Sequence, residues 1–486
     1  MTLQDLLPIL PLITTLTWAV ILLVVDLFVP PGRKAITAGL AALGFAASLA
    51  LTLLWRGAPT TAMNGMVVMD GFATLLNALF AVCGLAGVLF AFAYLRRMGI
   101  ERGEYYVLLL FSVGGMMLMA SAADLITIFL ALELLSIPLY VLAGIARPRL
   151  ASEEAALKYF LLGAFATGML VYGIALVYGA AGSTRLSVIA AQLAQMTAAG
   201  NVPLIAYAGG GFILVGLSFK VAAVPFHMWT PDVYEGAPTP VAGFMSVAAK
   251  AGGFAALLRL LAWALPAMSL TWVPIVATLS ALTMIVGNLA ALVQTNLKRL
   301  LAYSSIAHAG YILMAVAALG TGTATAGAIA AAVFYLLAYA VTNLGAWAVV
   351  VALERGYGTG LTPQDYAGLG RKHPLLALAM TVFMLSLTGI PPTAGLIAKV
   401  YVFRAALDGG LVWLAIIGVI TSFISAYYYL RVLVAMYMRE GSPEVHLDRL
   451  TAGVVAVAAV ATLALGLLPA PLMQSAVRAV MLATGR

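Results

Sequence analysis

Apolar runs long enough to cross a lipid bilayer follow one another along almost the whole of this chain, and that pattern limits its fold more than any motif does. A helix needs about 20 apolar residues to cross a hydrocarbon core of about 30 Å. Such runs lie near residues 7–28, 35–56, 72–95, 105–121, 124–145, 155–181, 203–230, 238–263, 271–293, 299–319, 325–353, 374–407, 411–438 and 452–472. They predict an all-α polytopic membrane protein of about 14 transmembrane helices. Hydrophobic residues make up 64% and charged residues 9% of the 486, against roughly 45–50% and about 25% in soluble domains, so lipid must solvate most side chains. No basic segment precedes the first run, which therefore reads as a retained helix and not as a cleaved signal. The stretch 183–201 is too short and too polar to span. Leu186, Ile189, Ala190 and Leu193 follow helical spacing and place it along the outer membrane surface.

The composition also excludes several kinds of chemistry. One cysteine, Cys83, leaves no disulfide framework and too few thiolates for an iron–sulfur cluster. Four histidines, His227, His308, His373 and His446, lack metal-ligand spacing, and no glycine-rich phosphate loop lies between a strand and a helix. The expectation is that the chain itself carries no redox cofactor, nucleotide or metal. Its net charge of +8 is spread through short loops, which argues against a nucleic-acid partner and leaves the bilayer as the surrounding phase.

Loop charge sets the orientation. Loops after odd-numbered helices carry sixteen of the 25 Lys and Arg, among them Arg33, Lys34, Arg96, Arg97, Arg147, Arg149, Lys158, Lys298, Arg299 and Arg355. The opposite side carries six: Arg56, Arg185, Arg259, Arg404, Arg478 and Arg486. By the positive-inside rule the first set faces the cytoplasm, and an even helix count puts both termini outside.

Three lysines remain, and each sits inside an apolar run: Lys220, Lys250 and Lys399. A charge at the centre of a spanning helix costs about 2.5 to 3.5 kcal/mol on insertion scales, so it normally faces a partner or a polar interior. The acid in a comparable place is Glu133; Asp26 and Asp124 fall near helix ends and read as interfacial. One glutamate cannot pair with three lysines. Burial lowers a lysine pKa from about 10.4, by up to about 3 to 5 units, into the range where it exchanges protons at neutral pH. A structural ion pair is the plain reading of Glu133 and one lysine; proton carriage is the reading for those left over.

Two segments look broken. The twelfth, 374–407, contains Gly389, Pro391 and Pro392 shortly before Lys399, and the seventh has Gly209, Gly210, Gly211 and Gly216 ahead of Lys220, then Pro225. Unwound backbone at membrane depth is tolerated only where protein or a water-filled cavity satisfies it, so each break marks a hydrated site beside a lysine. Lys220 and Lys399 are 179 residues apart, Tyr159 and Tyr335 176, and Glu133 and His308 175. These near-equal offsets predict two inverted five-helix repeats, the pattern of secondary transporters with broken helices in matching positions. The expected organisation is a three-helix segment over 1–104, a first repeat over 105–263, a second over 271–438 and a C-terminal helix within 439–486. A row of titratable groups then runs along the midplane: Glu133, Lys220, Lys250, His308 and Lys399. His308 is otherwise a packed, hydrogen-bonded histidine.

At this point two stretches resemble a known family. Residues 219–241, FKVAAVPFHMWTPDVYEGAPTPV, and 296–311, NLKRLLAYSSIAHAGY, are similar to the antiporter-like membrane subunits of respiratory complex I. The run 395–401, GLIAKVY, is similar to the N-type subunit, because the M-type has glutamate where this chain has Lys399 and the L-type continues into a long lateral helix. The resemblance implies a proton-translocating subunit of an NADH:quinone oxidoreductase, with FMN, iron–sulfur clusters and quinone on other subunits. Its partners would be neighbouring antiporter-like subunits and the other membrane and peripheral subunits. It further implies that Glu133 and Lys220 form a regulating pair, that Lys250 is the central carrier, that His308 belongs to the connecting relay and that Lys399 is the exit-side group. His227 is a minor candidate. The alternative is a subunit of a multisubunit cation/proton antiporter, and a third reading is a purely structural membrane subunit.

Overall fold

In a computed structural model the chain is described over residues 9–55, 58–322 and 325–484. Residues 7 and 8 of the first expected span, and Arg56 and Arg486 of the loop charge, lie outside the described residues. The helices are α1 (Leu10–Asp26), α2 (Ala35–Leu54), α3 (Gly71–Arg97), α4 (Glu104–Ala120), α5 (Leu125–Ala143), α6 (Leu150–Ala181), α7 (Leu186–Ala198), α8 (Leu204–Val221) and α9 (Trp229–Gly236). They continue with α10 (Thr239–Ala264), α11 (Ser269–Leu292), α12 (Leu297–Leu319), α13 (Thr325–Leu353), α14 (Pro374–Thr388), α15 (Ala394–Asp408), α16 (Val412–Met438), α17 (Arg449–Leu467) and α18 (Ala470–Thr484). Eleven of the described helices are long and apolar enough to cross a membrane.

The helices differ in how much of their surface the chain itself covers. The apolar windows of α10, α12 and α13 are 100%, 94% and 89% buried, against 33% for α6 and 28% for α17, so the first three form the interior and the last two turn most of their surface outward. Two π-helical turns, Met245–Ala249 and Leu260–Ala264, interrupt α10 on either side of the segment that starts with Lys250. Such turns shift the register of a helix face and are frequent at functional positions. Helix α7 buries Leu186, Ile189 and Leu193, the face its spacing indicates. A short hairpin, Thr60–Ala62 against Val67–Met69, and the helix α18 packed on α3 and α13 have no counterpart in the expectations.

The two expected breaks are present, and one is differently built. Between α14 and α15 the chain unwinds over 389–393, with Gly389 at φ +91°. In the seventh segment the glycines are not the break. Gly209, Gly210, Gly211 and Gly216 all lie within the regular helix α8, and a Cβ at Gly209 would stand 2.9 Å from the Val177 amide nitrogen of α6. Small residues here let the α6 and α8 backbones approach. The chain unwinds after Lys220 instead, from Ala222, which is left-handed at φ 61°, to the start of α9.

The loop count also needs correction. Arg259 is not a loop cation: its side chain is 2% exposed and forms a two-pronged ion pair with Asp70, both N–O distances being 2.7 Å. Its Nε donates to the Ala120 carbonyl at 2.9 Å, and its guanidinium carbon lies 4.7 Å from the Phe72 ring centroid and 4.8 Å from that of Trp263. Lys298, counted with the cytoplasmic loops, is buried and donates to the Ala237 carbonyl at 2.7 Å. Asp26 and Asp124 are buried within the chain, the first against Lys34 and Thr37, the second capping α5 through the Ile126 amide. Asp70 sits at the start of α3 and Arg259 near the C-terminal end of α10, so their pair ties that end of the central helix to the N-terminal segment. Arg259→Met leaves Asp70 as an uncompensated buried charge and is expected to destabilise the protein by about 3–5 kcal/mol. Thermal unfolding in detergent checks this, and Asp70→Asn combined with Arg259→Met is expected to recover most of the loss.

Candidate functional site

Lys220 occupies the last turn of α8, where the unsatisfied carbonyls of a helix C-terminus favour a cation. Its Nζ donates to Ser136 Oγ at 2.8 Å and to the Tyr159 hydroxyl at 3.0 Å. Ser136 lies one turn beyond Glu133 on α5. Glu133 itself accepts from Thr167 Oγ1 at 2.8 Å and borders a groove of about 570 Å³ between α5 and α6 that also touches Phe129, Gly168 and Tyr172. No ion pair joins Glu133 and Lys220; their charges act on each other through space, while Lys220 bonds Ser136 and Glu133 bonds Thr167. The direct pair expected from sequence is therefore a separated one.

Lys250 follows the first π turn of α10. Its Nζ donates to the Ser305 carbonyl at 2.6 Å and to Ser305 Oγ at 2.5 Å. Three residues on, in α12, His308 bridges two tyrosines: Nδ1 is 2.7 Å from the Tyr335 hydroxyl and Nε2 is 3.2 Å from the Tyr429 hydroxyl. Tyr429 in turn meets Ser304 Oγ. Through the paired serines, Ser304 and Ser305, Lys250 of α10 is held one turn along α12 from His308, which lies in its electrostatic field.

Lys399 begins the second turn of α15 and reaches back across the break. Its Nζ donates to the Thr388 carbonyl at 2.8 Å and the Leu387 carbonyl at 3.2 Å, capping α14, and to Ser422 Oγ at 2.6 Å. It stands 4.9 Å over the Tyr311 ring, and Tyr311 makes an edge contact with His308 at 5.8 Å. A cavity of about 10 Å³ bordered by His308, Tyr335, Thr342 and Ser386 lies beside this cluster, close to the ~10–15 Å³ that one water needs.

The five residues singled out from sequence therefore form two groups. Glu133 and Lys220 make one; Lys250, His308 and Lys399 make the other. No side-chain hydrogen bond among the described residues joins them, although Gly253, one turn beyond Lys250, packs on the Lys220 stem. Lys220, Lys250, His308 and Lys399 are each at most 4% exposed. His227 lies outside both groups. Among the described residues no three His, Cys, Asp or Glu side chains gather as metal ligands would. Sequence reading missed Ser136, Ser305, Ser422 and Tyr429 as partners. Tyr159 and Tyr335 were visible only as markers of the repeat, and both hold a titratable group.

A family model described as NADH:quinone oxidoreductase/Mrp antiporter, TM, matches residues 122–425. The chain belongs to this family. It is 50% identical over 465 residues to NADH-quinone oxidoreductase subunit N of Chloroflexus aggregans, covering 95% of this chain and 94% of that one. NADH-quinone oxidoreductase subunit N 2 of Roseiflexus castenholzii is 49% identical over 468 residues, covering 96% of this chain and 94% of that one. Among solved structures, a chain of respiratory complex I from Thermus thermophilus with bound aureothin matches at a TM-score of 0.81 and 38% identity, covering 96% of this chain and 98% of that one. A chain of the Mrp complex from Dietzia sp. DQ12-45-1b matches at a TM-score of 0.86 and 22% identity over 100% and 98%, a likeness of fold. The family match spans both clusters except for the last residues of α16, Tyr429 among them.

Tyr159→Phe removes one of the two hydrogen bonds that hold Lys220 and nothing else from that ring. A lost hydrogen bond to a charged group is worth about 1.5–3 kcal/mol, so any step that depends on the charge of Lys220 is expected to slow by roughly tenfold or more. Proton uptake by vesicles carrying the assembled variant, normalised to subunit content, is the check; unchanged uptake would make the contact incidental.

Proposed function

We propose that the chain works as the antiporter-like, proton-translocating membrane subunit of an NADH:quinone oxidoreductase, in the place that subunit N takes among its relatives. The observation that carries this is half identity over nearly the whole length to chains of that description, in a molecule whose lysines are buried beside helix breaks. The enzyme is the oxidoreductase complex, and its other subunits are the partners. We further propose that FMN, iron–sulfur clusters and quinone are all held by those subunits.

In this reading Glu133 and Lys220 are the regulating pair, Lys250 is the carrier, His308 links it onward and Lys399 is the exit-side group. Two unit charges about 4 Å apart interact by about 4 kcal/mol at an effective dielectric of 20, and moving one charge across 100 mV takes about 2.3 kcal/mol. Closing or widening the gap between Glu133 and Lys220 is enough in principle to drive a proton off Lys220 or onto it. Lys250 would then exchange with His308 by way of water between the Ser305 hydroxyl and the Ser304–Tyr429 pair, each oxygen accepting one proton as it gives one up. Tyr311 and the small cavity at Ser386 adjoin Lys399 for the last step.

The same proposal covers the architecture. Eleven long apolar helices, together with α1, α4 and the broken pair α14–α15, make fourteen crossings. Two inverted five-helix units over 105–263 and 271–438, preceded by 1–104 and followed by 439–486, are supported by matching contacts. Ser136 on α5 touches Lys220, and Tyr311, 175 residues later on α12, touches Lys399. The orientation with both termini on the periplasmic side of the inner membrane rests on the basic residues at one end of the molecule, where Arg97, Arg149, Lys298 and Arg299 meet Glu354, Tyr357, Ala237 and Asp232. The likeness to the Mrp complex chain keeps one rival, an autonomous cation/proton antiporter.

Purification of the native assembly separates the two: peripheral flavin and iron–sulfur subunits are expected to accompany the chain, and their absence would favour the rival. Lys220→Ala is expected to leave the subunit assembled while quinone-coupled proton uptake falls sharply. An assembled variant that pumps at the wild-type ratio would remove the pair's control function.

A further inference from the structure

Glu354 is fully buried and has no place in the relay above. Unlike Asp70 it has no ion pair among the described residues. Its carboxylate accepts from Thr239 Oγ1 at 2.5 Å and from the Gly358 amide at 3.3 Å. Gly358 borders an open polar pocket of about 300 Å³ together with Arg149, Lys158, Asp232, Glu235 and Asn296. One side of the carboxylate is thus a single residue from bulk water, on the end of the molecule where the basic loops gather.

Its other side faces inward along a seam. The amide of Glu354 bonds the Val350 carbonyl at 2.9 Å, so it continues the register of α13, and Tyr339, Asn343, Trp347 and Glu354 share one face at spacings of four, four and seven. That face runs antiparallel to α10. Glu354 meets Thr239, Trp347 lies on Gly243, and Asn343 Nδ2 donates to Ser246 Oγ at 2.7 Å. Ser305 Oγ approaches the Ser246 carbonyl at 3.5 Å and holds Lys250. The interval from Thr239 to Ser246 is about 10 Å at 1.5 Å per residue. Trp347 seats on Gly243 within it and Asn343 stands at its inner end; Trp347 Nε1 and Asn343 Oδ1 are buried without a hydrogen-bond partner among the described residues, and the Tyr339 hydroxyl beyond them faces Ser305. Buried polar groups of this kind are satisfied by ordered water.

We propose that Glu354 is the proton-collecting acid for Lys250, fed from the polar pocket and connected inward by a file of water between α10 and α13. This rests on the relay reading. A proton from bulk water adds to the carboxylate, passes along waters that each accept one and release one, and ends on the neutral Lys250 amine, leaving Glu354 ionised for the next. The charged and titratable groups that act on this carboxylate are Arg97, Lys298, Tyr94, Tyr357 and Tyr366. The rival role is a structural one, in which the acid only staples the start of α10 to the 354–360 loop.

The test uses the assembled complex in sealed vesicles with Glu354→Gln, Glu354→Asp and Asn343→Leu. The glutamine still accepts from Thr239 and Gly358 but cannot titrate, so quinone-coupled proton uptake is expected to fall by about tenfold or more at unchanged subunit content. Aspartate is expected to restore most of it, and Asn343→Leu to lower it several-fold with Glu354 in place. Wild-type uptake by Glu354→Gln, or equal losses in the Gln and Asp variants, would overturn the proposal. If Glu354→Gln does not assemble, Asn343→Leu decides: normal uptake overturns the file, and reduced uptake supports it. Lys220→Ala measured alongside separates the two levels, since normal pumping there removes the relay itself, whereas its loss beside a normal Glu354→Gln removes only the collecting role.

Discussion

A bilayer offers no hydrogen bonds to a polar group that faces it, and most of this molecule's design answers that constraint. Each buried cation is held by acceptors from the chain itself. Lys220 has a serine and a tyrosine, Lys250 both oxygens of one serine, Lys399 two helix-end carbonyls and a serine, and Arg259 a complete carboxylate. The contrast among them is informative. Arg259 and Asp70 neutralise each other and fix a helix end, a pairing that breaks only at high cost. The three lysines have neutral partners that can serve either protonation state, because a hydroxyl accepts from an ammonium and donates to an amine.

The breaks serve the same constraint. Where α14 stops, its last carbonyls lose their helical partners, and Lys399 from the far side of the gap supplies them. Where α8 stops, Lys220 lies in its terminal turn. In both places the end of a helix dipole and a lysine meet at the point where the backbone unwinds, so the unwound backbone also supports the charge beside it. The π turn ahead of Lys250 supplies a milder version in a helix that is otherwise continuous.

Much of this was legible because lipid exposure and charge are opposites. The apolar runs located the helices, and three lysines with no loop to occupy announced themselves as Lys220, Lys250 and Lys399. Partners were harder to see, since Ser136, Ser305 and Ser422 are common residues whose importance comes from distant segments that the chain brings to them. The glycines of α8 misled because a small residue looks the same in sequence whether it permits unwinding or a close helix approach, and here Gly173 and Gly209 serve the latter. Arg259 and Lys298 were counted as loop charge because both lie near helix ends, where sequence alone does not distinguish a solvated side chain from one turned inward. Asp70, Glu354 and Asn343 carried no signal of their own; only the packing of α3, α10 and α13 gives them a context.

The central claim is that a buried lysine in this chain changes its charge, and Lys250 tests it most directly. Lys250→Arg keeps the cation and can still donate to both Ser305 oxygens, yet a guanidinium does not deprotonate in proteins, and arginine pairs with oxygen acceptors at least as well as lysine. Quinone-coupled proton uptake should be measured in sealed vesicles on complexes that contain the subunit in normal amounts. A carrier role predicts that uptake falls sharply although the positive charge survives; uptake at the wild-type ratio would contradict it and leave Lys250 a structural cation.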